Sequence, residues 1–311
     1  MKYQNISIVI PTFNGKELLE KYLPSVLDAC KDYSFEKTEL IVIDDASSDG
    51  TADYLESNFP FIKVIRQQTN KGFSVSANHG IFSAKNRIVV LLNNDVEVAN
   101  NFLSFFLHHF EDKNLFAVRP GLKNTSEDEI IKHPKIGGKF KYGFFDVPAE
   151  VKENTDLAFF AGGGACVYDR EKFIELAGFD EIFSPFYFED VDLSYRAWKR
   201  GWKIIYEPKC WAYHQGCATI SKFYSARYIN IITERNKYFL IWKNITDIKL
   251  IFEHFVFVPV RIIIFLVCGN FAPLAGLFCA LKSLDKIIKK RKIEKQFTKV
   301  SDNTIFGYFK A

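Results

Sequence analysis

The sequence predicts an α/β fold in which a mainly parallel β-sheet is flanked by helices. Over the first hundred residues, short β-branched apolar runs alternate with segments of helical length. Each apolar run is followed by a polar cluster, as is typical where a buried strand ends. Strand-helix alternation favours a parallel sheet with right-handed crossovers, and such sheets bind ligands at the carboxyl ends of their strands.

The strands predicted in this region are Ile6–Ile10, Glu39–Ile43, Lys63–Arg66 and Ile88–Leu92. The helices predicted between them are Lys16–Ala29, Thr51–Ser57 and Phe73–Ala84. Residues 120–155 have weak periodicity and are expected to form a loop or excursion over the sheet. After a glycine-rich approach to a further strand, the pattern predicts a helix at Asp190–Lys199, a strand at Trp202–Tyr206 and a long helix at Ser221–Asn244.

Composition and charge exclude several classes of protein. Of the 311 residues, 48% are hydrophobic and 25% are charged, which indicates a globular chain that can bury a core. The net charge is +4, but Lys282–Lys299 holds eight basic residues against two acids, so a nucleic-acid-binding body is not indicated. The six cysteines form no CxxC pair, which argues against a cysteine zinc site or a disulfide framework. Since no signal peptide is recognisable, we expect a cytoplasmic protein.

The acidic cluster after the second predicted strand holds candidates for recognising a nucleotide base. Asp45 can accept a hydrogen bond from a pyrimidine N–H, and Asp44 and Asp49 are alternatives. The same segment also suits a loop that leads into a helix, with Asp49 or Ser48 as the N-cap. The cluster alone therefore leaves a binding role and a structural role open.

A metal site is the main hypothesis for Asn93-Asn94-Asp95, which follows the apolar run Ile88–Leu92. A carboxylate at the end of a buried strand can hold Mg²⁺ or Mn²⁺, hard ions that prefer oxygen ligands and leave positions for phosphate oxygens. A simple turn is the alternative, because Asn and Asp favour turns. His214 would join such a site only if the fold returns it to the metal, since a single histidine is usually structural.

Three acids crowd the start of the helix predicted at Asp190–Lys199, directly after aromatic residues. Acids are ordinarily stabilised at a helix N-terminus, which is the structural explanation. Their crowding beside apolar residues favours a base site instead, and Asp190 is our candidate for the general base, with Glu189 orienting an acceptor. Asp192 is expected to pair with Arg196 one turn further on.

The C-terminal part of the chain is strongly apolar at residues 251–281 and basic at Lys286–Lys295. The charge-free run Ile262–Leu281 is about long enough to span a bilayer, but Gly269-Asn270 and Pro273 interrupt it. We favour one or two helices lying on the membrane surface, with the basic segment against anionic headgroups. A membrane-spanning helix and a helical hairpin packed on the preceding domain are the alternatives.

Taken in order, the motifs resemble those of bacterial family 2 glycosyltransferases, in particular the rhamnosyltransferase-like group that builds O-antigen, capsule and cell-wall polysaccharides. Each motif is weak alone, but together they follow the family's spacing from about residue 10 to about residue 240. The matching segments are Val9–Gly15, Ile43–Thr51, Asn70–Phe73 with Asn78, Leu91–Glu97, Gly162–Cys166, Gly178–Glu181, Phe188–Leu193 with Gly201-Trp202, and Tyr213-His214.

The resemblance implies a GT-A fold, which is a Rossmann-like mixed sheet flanked by helices, at residues 1–245, followed by a helical membrane-associating segment at 246–311. It implies an inverting, metal-assisted hexosyl transfer from a nucleotide-diphosphate donor. The expected donor is dTDP-rhamnose, with UDP-galactofuranose or another UDP-hexose next. The expected acceptor is polyprenyl-linked or a glycan, met by a peripheral enzyme at the inner face of the cell membrane.

The resemblance also implies roles for individual residues. Asp190 matches the family's general base, with Glu189 beside it, and Asn93-Asn94-Asp95 matches its DxD motif. Asp95 would then be the principal ligand of Mg²⁺ or Mn²⁺, joined by Asn93 and by His214, which matches a metal-ligating histidine of some relatives. The expected donor-binding residues are Pro11, Thr12, Asn14, Asp45, Lys71, Asn78 and Asn94, and the expected acceptor-side residues are Gly163 and Gly164.

Two departures and two rival functions accompany this interpretation. Asn93 replaces the first acid of the DxD motif, and no QxxRW motif follows Asp190, which argues against a processive cellulose- or chitin-synthase-like enzyme. A sugar-phosphate nucleotidyltransferase usually has a basic glycine-rich loop after the first strand, and Pro11–Gly15 lacks the basic residue. A non-catalytic, membrane-associated nucleotide-sugar-binding scaffold is the second rival, and the retained acidic residues argue against it.

Overall fold

The computed structural model describes residues 4–123, 136–149, 156–214 and 223–310. Within these residues the chain forms two compact units. The sheet unit comprises the described parts of Met1–Lys132, Ala161–Pro185 and Lys203–Gly216, and the helical unit comprises those of His133–Phe160, Phe186–Trp202 and Cys217–Ala311. The division into domains at residue 245 stays a prediction.

The sheet unit is built on strands, and the β-branched residues of its central strands are buried. In the described residues its strands are β1 (Ile6–Thr12), β2 (Thr38–Asp44), β3 (Lys63–Arg66), β4 (Ile88–Leu92), β5 (Val96–Val98), β6 (Leu115–Lys123), β9 (Ala165–Asp169) and β10 (Lys203–His214). Its helices are α1 (Lys16–Tyr33), α2 (Thr51–Asn58), α3 (Phe73–Ser83) and α4 (Arg170–Glu175). All residues of β1 and β4 are buried, as expected for strands covered on both faces.

The sheet is mixed, as the resemblance implied. Its strand order is β3-β2-β1-β4-β9-β6-β10-β5. β1 pairs in parallel with both β2 and β4, and β2 pairs in parallel with β3, so the predicted strand-helix alternation is confirmed. β9 pairs antiparallel with β4 and β6, whereas β10 runs parallel to β6. Consequently β1, β2, β4, β6 and β10 all point the same way.

The helical unit contains a two-stranded hairpin and helices. In the described residues these are β7 (Gly137–Lys141), β8 (Phe144–Ala149), α5 (Glu189–Lys199), α6 (Ala226–Asn244), α7 (Ile248–Val267), α8 (Ala272–Leu281), α9 (Leu284–Gln296) and α10 (Asp302–Gly307). Aromatic rings fill its core, with Phe145, Phe159, Tyr195 and Phe306 packed at centroid distances of 5.1–6.2 Å. Such pairs add stability beyond the apolar area that they bury.

Two sequence predictions differ from the structure. The loop predicted at residues 120–155 contains the end of β6 and, in its described part, the β7–β8 hairpin, whose lysine and glycine residues masked the strand pattern. The strand predicted at Trp202–Tyr206 continues as β10 to His214, past Pro208, because an irregularity after Glu207 accommodates the proline.

Two buried carboxylates hold the helical unit together. Asp192 on α5 pairs with Arg196 at 2.8 Å, as predicted, and also with Lys243 on α6 at 2.9 Å. Asp302 at the start of α10 is fully buried and accepts hydrogen bonds from Lys199 Nζ on α5 at 2.7 Å and from the Thr246 amide, between α6 and α7, at 2.7 Å. Burial alone would raise the pKa of Asp302, but the charge and hydrogen bond of Lys199 lower it below its ordinary value.

The apolar C-terminal segment forms two helices rather than one continuous helix. The predicted interruption at Gly269-Asn270 lies between α7 and α8. α7 is long and apolar enough to cross a membrane, and only 6% of its 18-residue apolar stretch is buried inside the protein. A core helix of a soluble protein would be mostly buried, so α7 is an apolar helix that could associate with a membrane.

Candidate functional site

The topology of the sheet unit brings most of the predicted donor and metal residues to one edge. Thr12 ends β1, Asp44 ends β2, and Asn93 follows β4, all at the carboxyl edge of parallel strands. Because β9 is antiparallel, it begins at this same edge, where Ala165 pairs with Leu92. β10 ends there too, at His214, since it runs parallel to β6. This is the edge where α/β sheets place their ligands.

Asp95 and His214 face each other at this edge. His214 Nε2 lies 3.2 Å from Asp95 Oδ1, and the Asp95 side chain is 9% exposed while that of His214 is 24% exposed. β10 returns His214 to Asp95 by pairing antiparallel with β5, in which His214 stands opposite Val96. The fold therefore brings His214 to the candidate metal residue Asp95, as the sequence analysis required. Its role as a metal ligand stays a prediction.

Gly164 makes room for His214. A Cβ on Gly164 would lie 2.9 Å from the imidazole Cε1 and Nδ1 atoms, so any side chain here would displace the ring. The Gly164 carbonyl also accepts a hydrogen bond from the Asn93 amide at 2.8 Å. Gly163 is the preceding residue, and a role of either glycine toward an acceptor stays a prediction. The glycine-rich segment thus has a local explanation, which is close approach to the end of β4 and to His214.

The Asp95–His214 pair fits a divalent cation. Metal bonds of about 2.0–2.2 Å at right angles place neighbouring ligand atoms about 3 Å apart, which matches the observed 3.2 Å. Carboxylate oxygen and imidazole nitrogen together suit Mn²⁺, whereas oxygen ligands alone suit Mg²⁺. Asn93 and Asn94 lie beside this pair in the chain and offer further amide oxygens.

A second contact at this edge joins β1 to the turn after β4. Asn94 Nδ2 donates to Thr12 Oγ1 at 2.8 Å. A Cβ on Gly15 would lie 2.2 Å from Thr12 Oγ1 and 2.3 Å from Asn94 Nδ2, so only glycine fits there without displacing the pair. Pro11 lies within β1, opposite Ile43 of β2. Thr12 and Asn94 are thus brought together as the sequence suggested, and their donor-binding role is a proposal.

Asp45 is hydrogen-bonded to the loop that precedes α3. It is 3% exposed, and its carboxylate accepts from the backbone amides of Lys71 and Gly72, each at 2.8 Å, and from Gln67 Nε2 at 3.0 Å. These bonds fix the Asn70–Phe73 segment, which leads into α3, against the end of β2. Both carboxylate oxygens already accept hydrogen bonds here, so any base recognition by Asp45 uses their remaining acceptor capacity. Gln67 carried no motif in the sequence and was missed.

The loops after β1 and β2 are tied to each other. The Asn14 amide donates to Ser47 Oγ at 2.8 Å, and Asn14 Oδ1 accepts from the Ser48 amide at 2.8 Å. Asp49 accepts from the Lys16 amide at 3.0 Å. Burial would raise the pKa of Asp49, but the hydrogen bonds, led by that from the Thr51 hydroxyl, lower it below its ordinary value. Asp49 therefore has a structural role that ties the two loops together, but the N-cap of α2 is Gly50, so the N-cap role predicted for Asp49 or Ser48 is wrong.

Asn78 on α3 also has a positioning contact. Its amide group donates to the Phe179 carbonyl at 2.9 Å and accepts from the Phe179 amide at 2.8 Å. Both polar atoms are thereby engaged, and they hold Gly178-Phe179 against α3. The side chain of Lys71 is exposed, so it is accessible to a ligand. Donor binding by Asn78 and Lys71 stays a prediction.

The candidate base lies in the helical unit, at the first turn of α5. Phe188 precedes the helix with a left-handed φ of 73°, and the buried Asn236 donates to the carbonyls of Phe186 and Tyr187, each at 2.9 Å. This clamp holds the aromatic turn in front of Glu189. Asn236 belongs to no motif, and the sequence offered no signal for it.

Glu189, the first acid at this turn, has a raised pKa. Burial raises the pKa of Glu189 to about 8, and the charge of Asp190 adds to the increase. Glu189 Oε2 is buried without a hydrogen-bond partner among the described residues. Glu189 is therefore neutral at pH 7, and Asp190 does not face a second full negative charge from it.

Residues 7–177 match the model of glycosyl transferase family 2, which is more than half of the chain. The chain belongs to this family. The matched range runs from the second residue of β1 to just past α4 and includes every site residue named for β1, β2 and β4, while Asp190 and His214 lie beyond it.

Curated relatives of this glycosyltransferase family 2 chain include the poly-β-1,6-N-acetyl-D-glucosamine synthase of Staphylococcus aureus (strain COL). It is 28% identical over 218 residues, covering 67% of this chain and 50% of the relative. The pre-mycofactocin glycosyltransferase of Mycobacterium tuberculosis (strain CDC 1551 / Oshkosh) is 24% identical over 210 residues, covering 66% and 42%. The chain thus spans about half the length of the curated relatives that it matches.

Solved structures show the same fold. S. aureus TarS 1-349 in complex with UDP-GlcNAc aligns with a TM-score of 0.58 at 16% identity, covering 98% of this chain and 84% of that one. The mannosyltransferase PcManGT of Pyrobaculum calidifontis, in complex with GDP-Man and Mn²⁺, aligns with a TM-score of 0.58 at 14% identity, covering 95% and 88%. The predicted GT-A fold is confirmed.

Proposed function

We propose that the protein is an inverting glycosyltransferase that moves a sugar from a nucleotide-diphosphate donor to a lipid-linked or polysaccharide acceptor in surface glycan biosynthesis. The observation that carries this proposal is the Asp95–His214 pair at the carboxyl edge of the sheet. Membership of glycosyl transferase family 2 supports the reaction class. The S. aureus relative, a synthase of a surface polysaccharide by its name, supports the biosynthetic role.

In this proposal Asp95, His214 and Asn93 would hold Mg²⁺ or Mn²⁺. The cation would supply charge neutralisation for the departing diphosphate. Thr12, Asn94 and the loop held by Asp45 line the edge where the donor would bind. The mannosyltransferase structure that contains Mn²⁺ and GDP-Man supports this pairing of metal and nucleotide sugar.

Asp190 is proposed to take the proton of the acceptor hydroxyl. Direct displacement at the anomeric carbon requires such a base, and a carboxylate at the start of a helix suits it. Glu189 is proposed to act as a neutral hydrogen-bonding group that orients the acceptor, because burial keeps it protonated at neutral pH. The Asn236 clamp would fix the turn that positions both acids.

The donor is proposed to be dTDP-rhamnose or a UDP-hexose. The TarS complex with UDP-GlcNAc supports the UDP-sugar, while the resemblance to the rhamnosyltransferase-like group supports the rhamnosyl donor. A thermal-shift screen of nucleotide sugars with Mn²⁺ distinguishes them, since a ligand at 100 times its Kd stabilises the folded state by about 2.7 kcal/mol. UDP-GlcNAc, UDP-galactose, UDP-galactofuranose, dTDP-rhamnose and GDP-mannose form the panel.

The decisive experiment compares Asp190→Asn and His214→Gln with Asp28→Asn, an exposed acid on α1 that serves as the control. Asp190→Asn is expected to lower transfer by at least about 100-fold, with donor binding nearly unchanged, because a general base is worth about 100- to 10,000-fold. His214→Gln is expected to weaken Mn²⁺-dependent donor binding. Normal turnover by Asp190→Asn removes the base assignment.

Two further outcomes test the rival functions. Release of pyrophosphate from a nucleoside triphosphate and a sugar phosphate would indicate a nucleotidyltransferase. Failure to bind any nucleotide diphosphate in calorimetry would favour a non-catalytic scaffold.

Membrane-surface association at the cytoplasmic face is the second part of the proposal, and the polarity of α7 supports it. Three of its polar side chains contact the helical unit: Glu253 accepts from the Gly143 amide at 2.9 Å, His254 Nδ1 lies 2.7 Å from the Gly143 carbonyl, and Arg261 donates to Glu234 at 2.8 Å. Its outer stripe is apolar and exposed, including Ile248, Phe252, Phe255, Val256, Val260, Ile263, Ile264 and Val267. This is the reverse of a water-facing helix.

The inner contacts of α7 favour a helix that lies on the membrane rather than one that crosses it. Glu253 and Arg261 are eight residues apart, which is about 12 Å of helix at about 1.5 Å per residue. Over this length α7 is fastened to the helical unit by polar groups, so insertion across the bilayer would carry these groups into hydrocarbon. The exposed lysines of α9, which include Lys286, Lys289 and Lys292, would contact anionic headgroups.

Vesicle sedimentation tests this association. The double substitution Phe252→Gln and Ile263→Gln is expected to weaken binding to vesicles of phosphatidylcholine and phosphatidylglycerol by at least about 100-fold, given about 1.5–3 kcal/mol for each of the two apolar side chains if both are buried in lipid. Phe61→Gln, which removes an exposed aromatic ring of the sheet unit, is the matched control. Equal sedimentation of all three proteins contradicts the proposal.

A further inference from the structure

A cluster of two histidines and a glutamate lies in the sheet unit, away from the candidate active site. Residues Leu107–Glu111 form a 3-10 turn that presents the adjacent side chains His108 and His109. His109 Nε2 lies 3.0 Å from Glu207 Oε2 on β10. One ligand atom from each of the three side chains lies within 4.8 Å of the others, and this holds within the described part of the chain.

An irregularity in β10 aims Glu207 at this turn. Glu207 pairs with Pro120 of β6, but the next paired residue on β10 is Trp211, opposite Gly121, so three residues of β10 are left over. Such bulges bend a strand and redirect its side chains, and they are frequent beside functional sites. The other carboxylate oxygen of Glu207 accepts from the Lys209 amide at 3.0 Å, which fixes the orientation of the carboxylate.

We propose that His108, His109 and Glu207 bind a divalent transition-metal ion of the Zn²⁺ type. Two imidazoles and one carboxylate, with a water molecule as fourth ligand, form a common tetrahedral zinc set. Bonds of about 2.1 Å place tetrahedral ligands about 3.4 Å apart, so His109 and Glu207 are already near the required spacing. His108 is exposed, so its side chain can turn toward the ion and provides the route of entry.

This site is separate from the Asp95–His214 pair. Glu207 and Tyr213 stand opposite Pro120 and Lys123 on β6, which places them about 10 Å apart along the sheet at about 3.3 Å per residue. His214 lies one residue further. The ion would join the 3-10 turn to β10 at a point that no motif of the family match identifies, and its binding would stabilise the sheet unit by mass action.

Metal titration of the full chain tests the proposal. Zn²⁺ binding is measured by calorimetry, and Co²⁺ serves as a spectroscopic probe of tetrahedral coordination. His108→Gln is the main variant, because an exposed side chain can be replaced without disturbing the fold, and Glu207→Gln is the second. His79→Gln, an exposed histidine on α3, is the matched control, and His214→Gln removes the candidate active-site ligand.

Beside any Zn²⁺ held by the Asp95–His214 pair, the expected result is a Zn²⁺ site that persists in His79→Gln and His214→Gln and is weakened at least about 10-fold in His108→Gln and Glu207→Gln, since even groups that only orient a ligand are worth about 10- to 100-fold. Zn²⁺ should also raise the Tm of His214→Gln by several degrees, and this increase should be absent when His108→Gln is added to that variant. The proposal is overturned if the wild type does not bind Zn²⁺, if His108→Gln and Glu207→Gln titrate like the wild type, or if His214→Gln alone abolishes binding.

Discussion

Glu189 should make the folded protein less stable as the pH rises. Burial raises its pKa to about 8, so the folded state keeps a proton that the unfolded chain, with a glutamate pKa near its ordinary value of about 4.3, has lost. Between these values the folded state binds more protons, and the free energy of unfolding falls by about 1.4 kcal/mol per pH unit. From pH 5 to pH 7 the loss is about 2.5 kcal/mol.

Glu189→Gln should abolish this slope. Glutamine mimics the neutral acid at every pH, so urea unfolding curves of the variant at pH 5, 6, 7 and 8 should lack the decline of the wild type. The exposed substitution Glu36→Gln removes one carboxylate elsewhere and should follow the wild type. Parallel curves for Glu189→Gln and the wild type would show that Glu189 is ionised in the folded protein. Transfer activity near pH 7 should largely survive, in contrast to Asp190→Asn.

Three substitutions test other contacts. Gly164→Ala should lower Mn²⁺ affinity by at least about 10-fold in calorimetry, because its methyl group would meet His214 at 2.9 Å; unchanged affinity would separate this glycine from the metal site. Gly15→Ala should cost about 1–3 kcal/mol in urea unfolding by crowding Asn94, and an unchanged midpoint would contradict the tight packing. Asp302→Asn should cost about 3 kcal/mol, since it leaves a buried lysine uncompensated. Because the pKa of Asp302 is lowered, its contribution is present above about pH 4 and lost as the pH falls further, so the difference between wild type and variant should shrink in acid.

The edge of the sheet was predictable from the sequence because its signals are local. The β-branched runs of β1, β2 and β4 and the polar clusters after them fix which residues stand at the carboxyl ends. Parallel pairing then brings Thr12 and Asn94 together, as observed. Strand-helix alternation alone predicts only parallel strands. The mixed sheet, with its antiparallel strand, was expected only from the resemblance to the family.

The remaining contacts join distant parts of the chain, and no periodic pattern of residues in the sequence predicts them. Nothing near His214 indicates that β10 ends opposite β5, and only that pairing brings it to Asp95. Gln67 and Asn236 are single polar residues whose partners are backbone groups, so their types carry no motif. The acidic residue Asp45 was recognised, but its bonds to two backbone amides were not, because hydrogen bonds to a loop are set by the loop's path.

The carboxylate of Asp302 links two helices of the helical unit, α5 and α7. It holds Lys199 at the far end of α5, the helix that begins with the candidate base, and it holds the backbone at the joint where α7 starts. If α7 lies on a membrane as proposed, a tilt of α7 would pull on one oxygen of the carboxylate whose other oxygen holds Lys199 of α5. Contact with a bilayer could in this way be felt at the first turn of α5 within the helical unit, so that turnover on vesicles and in detergent-free solution would differ even for a freely diffusing acceptor.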